Sequence, residues 1–182
     1  MSKWMIASDI HGDCACAQQL IARYRESGAE RLILLGDLLY HGPRNDLPAG
    51  YAPKTVIDLL NSMKEELLCV RGNCDTEVDQ MVLQFPILAD YAFLSADGLT
   101  IFATHGHTFN TSSLPSLKKG DILLHGHTHV PAALEFGDGN VYINPGSVSI
   151  PKEGSPKSYI LYEDGVFSFR DLEGNEYRRY PV

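Results

Sequence analysis

The chain has 182 residues, 44% of them hydrophobic, enough for a single domain (residues 1–182) with one sizeable core. Its 23 acidic and 15 basic residues leave a net charge of −8, which argues against stable nucleic-acid binding, because affinity for a phosphate backbone rests on clustered Lys and Arg. Asp9 interrupts the first apolar stretch too early for a secretion signal or a spanning helix, so the expectation is no membrane association, a cytoplasmic location and free thiols at Cys14, Cys16, Cys69 and Cys74.

The first apolar run, Trp4-Met5-Ile6-Ala7, is short and continuous, as expected of a strand buried on both faces, and it leads into Ser8-Asp9-Ile10-His11-Gly12. Asp13 can cap a helix whose apolar positions Ala17, Leu20, Ile21 and Tyr24 recur at helical spacing; Cys14 and Cys16 read as small residues of its first turn rather than as ligands. A second strand, Leu32 to Leu35, precedes Gly36-Asp37. The segment from His41 to Pro53, with Pro43, Pro48 and Gly50, is the longest loop, and its place directly after Asp37 makes it the candidate wall of a substrate site, with a plain connector as the alternative. Val56, Ile57, Leu60 and Met63 suggest a second helix, and Leu67-Leu68-Cys69-Val70 a third strand ahead of Gly72-Asn73-Cys74-Asp75.

The texture changes after residue 90. Leu99 to Ala103 and Ile122 to Leu124 lead into Thr104-His105-Gly106-His107 and Gly126-His127-Thr128-His129. Turn signals at Asp97-Gly98, Gly137 to Asn140, Asp164-Gly165 and Gly174-Asn175 separate β-rich runs, so the first half reads βαβαβ and the second mostly antiparallel β. Asp9, His11, Asp37, Asn73, His105, His127 and His129 all follow a strand, and ligands of an open α/β sheet gather outside the carboxyl ends of its strands, so one rim would hold all seven.

In order, these elements spell D-x-H, G-D, G-N-x-D, a lone His and G-H-x-H across residues 9 to 129, a pattern that resembles the calcineurin-like metallophosphoesterase superfamily, and in size most of all its small bacterial phosphodiesterases. The resemblance implies an α/β fold, a four-layer αββα sandwich, with a dinuclear metal site at the carboxyl ends of the strands. Carried over by position, Asp9, His11, Asp37 and His129 would hold one ion, and Asp37, Asn73, His105 and His127 the other. Two dications about 4 Å apart repel by about 16 kcal/mol at an effective dielectric of 20, which a shared carboxylate and a bridging hydroxide must offset. Mixed imidazole and oxygen donors suit Mn, Fe, Co, Ni or Zn and disfavour Ca or Mg; the resemblance favours Mn2+.

The implied activity is hydrolysis of a small phosphodiester by attack of that hydroxide. Where many members have His in Gly-Asn-His-Asp, this chain has Cys74, a weak donor at the leaving-group position, so activated esters are expected to react best. His107 is read as a substrate contact or a structural hydrogen bond, His125 as a packing residue, and Asn144 to Ser147 as a turn that supports the site without ligating. The alternatives are a phosphomonoesterase or phosphoprotein phosphatase, and a non-catalytic interaction scaffold on the same fold. A homo-oligomer is left open.

Overall fold

The computed structural model describes residues 2–182. Two β-sheets lie face to face. The first has the order β11-β10-β9-β1-β2-β3, built from β1 (Lys3–Ala7), β2 (Arg31–Leu34), β3 (Leu67–Cys69), β9 (Ser158–Glu163), β10 (Val166–Asp171) and β11 (Glu176–Pro181). The second has the order β4-β5-β6-β8-β7, from β4 (Tyr91–Ala96), β5 (Leu99–Thr104), β6 (Ile122–Leu124), β7 (Ala132–Phe136) and β8 (Asn140–Asn144). Strand alternation explains why the apolar runs are continuous. Met5, Leu32 and Leu34 turn outward to pack under α1 (Cys14–Ser27) and α2 (Pro53–Asn61), while Ile6 and Ile33 turn inward to meet Ile101, Ile122 and Ile143 of the other sheet.

The helices start and stop where local chemistry directs. The Asp13 carboxylate accepts from the Cys16 N–H at 3.0 Å to cap α1, which ends on Gly28 at φ 69°, a left-handed angle that glycine adopts without strain. Pro53 opens α2, where its missing N–H costs nothing. Met63, expected within that helix, lies just beyond it and is still buried. A short third helix, α3 (Glu77–Val82), carries a capping box between Thr76 and Asp79.

Two differences from the sequence reading concern topology. The second half is mostly antiparallel, with a hairpin at each of the four turn signals, but β5, β6 and β8 run parallel to one another at the centre of the second sheet, flanked by antiparallel β4 and β7. Turn signals report only the strands they join: the stretch from β5 to β6 carries none, and the one between β7 and β8 does not report that β8 pairs with β6. The layer outside the second sheet, expected to be helical, is irregular chain over 105–121 among the described residues; Phe109 packs its ring 5.6 Å from Phe102 there. That stretch lacks a helical apolar period and contains Pro115 and Gly120.

Candidate metal centre

Both parallel trios end on the same rim, and all seven candidate side chains converge there. The loop after β1 is zipped to the loop after β2, with Asp9 N–H donating to Gly36 O (3.1 Å), His11 N–H to Asp37 O (2.9 Å) and Gly12 N–H to Leu38 O (2.9 Å). Five of the seven residues have left-handed backbone: Asp9 (φ 60°), His11 (49°), Asp37 (56°), His127 (67°) and His129 (62°). Such angles are uncommon for any residue with a Cβ, although Asp and His tolerate them better than most. They concentrate where packing holds the chain in place: a Cβ on Gly126 would collide with Ser8 and Asp9, and one on Gly72 with Asp37.

Hydrogen bonds fix the tautomer of three rings. His11 Nδ1 donates to Tyr40 O (2.7 Å), His105 Nδ1 to Leu35 O (2.6 Å) and His129 Nδ1 to Ile150 O (2.6 Å), since a carbonyl can only accept. In the neutral form each Nε2 is then a bare lone pair, and all three point into the centre. His11 Nε2 and His129 Nε2 face each other at 3.3 Å; His105 Nε2 lies 3.1 Å from His127 Nδ1 and 3.1 Å from Asn73 Oδ1. Asp9 Oδ1 is buried with no hydrogen-bond donor among the described residues, 3.2 Å from His129 Nε2 and 3.5 Å from His11 Nε2. Asp37 Oδ1 accepts from Cys74 N–H (2.8 Å), which leaves Oδ2 facing both His11 (3.7 Å) and His105 (3.4 Å).

Lone pairs in contact repel unless a cation lies among them. The donors fall into two sets, Asp9, His11 and His129 and Asp37, His105 and His127, which a third set of His11, Asp37 and Cys74 joins, and oxygen and imidazole nitrogen together suit a transition-metal ion. Without metal, the cluster can only draw protons. Burial favours neutral rings, yet Asp9 and Asp37 raise His11, and Asp37 and Asp9 push His105 up to about 9. Burial alone would raise the Asp9 carboxyl, but His11 and His129 hold it well below the usual carboxylate range. His127 goes the other way, down to about 4, through burial and the charge of His105.

The supporting residues were less legible. Asp75 is a staple: it accepts from Asp37 N–H (2.8 Å), Leu38 N–H (3.0 Å) and Gly72 N–H (2.7 Å), tying two site loops together. Ser147 and Ser149 hydroxyls donate to Asp9 O, and Asn144 donates to Gly126 O, so the turn after β8 holds the loops without reaching the centre. His125 is 2% exposed and stacks on Tyr142 at 4.4 Å, away from the donors. The exposed His107 ring lies 5.5 Å from that of His105, and its side chain makes no hydrogen bond among the described residues. Cys74 lies beside the donors, its thiol pushed up to about 12 by burial and then by Asp37. Gly42 to Asn45 wall one side of a cleft of about 450 Å³ whose floor includes Asp37, Asn73, His127 and His129; Arg44 and Lys152 line it without an ion-pair partner among the described residues.

Residues 3–164 match the model of the calcineurin-like phosphoesterase superfamily domain. The chain belongs to that superfamily. It is 48% identical over 168 residues to phosphodiesterase YfcE of Escherichia coli, covering 92% of this chain and 91% of that one, and 26% identical to the probable metallophosphoesterase YsnB of Bacillus subtilis, covering 94% and 92%. A solved structure described as YfcE, a phosphoesterase from E. coli, superposes with a TM-score of 0.95 at 44% identity over 99% of both chains. Vacuolar protein sorting 29 of Cryptosporidium parvum has the fold alone, with a TM-score of 0.62 at 15% identity. Membership of the calcineurin-like superfamily implies divalent metals.

Proposed function

We propose that this phosphoesterase hydrolyses small phosphodiesters with two divalent ions. The observation that carries the reading is the face-to-face set of ring nitrogens, joined across Asp37 Oδ2; the similarity to a phosphodiesterase supports the substrate class. Asp9, His11, Asp37 and His129 would hold one ion, and Asp37, Asn73, His105 and His127 the other. When bound, the ions would polarise the phosphoryl oxygens and lower the pKa of water towards neutrality. Mn2+ is the proposed metal, with Fe, Co, Ni or Zn the other members of the class that these donors suit.

The protein's own groups account for the rest. Arg44 and Lys152 attract an anion into a cleft on a molecule of net charge −8, and the exposed His107 ring, 6.3 Å from that of His127, would contact the phosphate. Cys74 Sγ accepts from Asn73 Nδ2 at 3.3 Å, which holds the amide with Oδ1 inward. A neutral thiol donates weakly to a departing oxygen, so leaving groups stable as anions should react fastest.

Elemental analysis and paired assays test this. The expected result is about two metals per chain and faster turnover of bis(4-nitrophenyl) phosphate than of 4-nitrophenyl phosphate. A protein that binds no metal, or that prefers the monoester, would overturn it.

A further inference from the structure

A second, apolar groove of about 360 Å³ runs beside the polar cleft, between the loop after β2 and α3, and Tyr40, Tyr51, Ile57, Cys74, Val78 and Val82 line it. Two residues join it to the centre. Cys74 lines both depressions, and the Tyr40 carbonyl holds the His11 ring while the Tyr40 side chain faces the groove. α3 buries none of its six residues and leaves Val78 69% and Met81 83% exposed. Apolar surface in water is unfavourable, and apolar side chains gathered beside a reactive cluster mark a surface that something covers.

We infer that the groove is the subsite for an aromatic ester group of the phosphodiester, which rests on the function proposed above. With phosphorus among the donors, the shared Cys74 wall puts one ester oxygen at the entrance to the groove. The Tyr40 and Tyr51 rings and the Val78 and Val82 methyls then offer the flat, apolar contacts that an aromatic ring takes. The volume lies at the low end for small-molecule sites, which suits one ring system rather than a peptide. The substrate class is accordingly an aryl or nucleobase-bearing diester, its ring in this groove and its remaining charge towards Arg44 and Lys152.

The test uses full-length Mn-loaded protein and the variants Val78→Asp, Tyr40→Ala and Tyr40→Phe. Val78 is exposed, and Tyr40→Ala keeps the carbonyl that holds His11. With bis(4-nitrophenyl) phosphate, Val78→Asp and Tyr40→Ala should each raise KM about tenfold, equivalent to about 1.4 kcal/mol. Tyr40→Phe should restore it. Inhibition by inorganic phosphate, which has no ester group, and metal content should stay within about twofold of wild type. An active wild type whose KM survives both disruptive variants would overturn the subsite alone. So would phosphate inhibition that weakens in step with KM, or a Val78→Asp variant that changes only the oligomeric state. A wild type with no diesterase activity under any added metal would instead remove the underlying function, and the subsite with it.

Discussion

At the level of single residues, Asp37 is the side chain on which both halves of the donor cluster depend. Its Oδ2 lies within 3.7 Å of His11 and 3.4 Å of His105, so Asp37→Ala should lose both metals and activity together, read as metal per chain and turnover on the same sample. Asn73→Ala should be milder. It removes one neutral oxygen near His105, and the stoichiometry should fall towards one ion with part of the activity retained. Cys74→His tests the leaving-group reading. A general acid is worth about 10² to 10⁴ in rate where protonation of the leaving group limits the step, so an alkyl or nucleoside diester should gain far more than an aryl one. Equal factors on both substrates would place residue 74 away from the leaving oxygen.

Among the elements, α1 shows how far structure and chemistry separate. Its cap, Asp13, is buried beside the site loops, and the backbone N–H of Cys14 bonds Gly50 O in the long loop. Asp13→Ala removes the cap and should cost about 1 kcal/mol of stability, seen as a lower urea midpoint, while metal content stays at the wild-type value. Loss of metal in parallel would mean that the helix start sets the His11 loop directly. The apolar runs made the strands legible, because a strand covered on both faces has no polar positions to interrupt it. α3 was missed because it has no buried face to give a period, although Thr76-Glu77-Val78-Asp79 carries a capping box.

On the scale of the whole molecule, the centre joins two sheets through long-range contacts, with His127 N–H bonded to Asp9 Oδ2 at 3.0 Å across 118 residues of sequence. Binding there should stabilise the entire fold. At a free Mn2+ concentration about 100 times Kd, the gain is about 2.7 kcal/mol, or roughly 5–10 °C in Tm, which EDTA should reverse. A Tm indifferent to metal would mean that the donors are not assembled in solution as they are here. The sequence by itself determined the five apolar strands that lead into the site, the first two helices, four of the turns and which seven side chains meet on one rim, because buried strands, caps and hairpins are local patterns and Asp-x-His or His-x-His places both side chains within one loop. Tertiary structure alone decided the parallel trio in the second sheet, the irregular layer over 105–121, and the staples of Asp75 and Ser149. Those features depend on crossovers and on backbone amides supplied by other loops, and no residue's own neighbours in sequence encode where such a partner comes from.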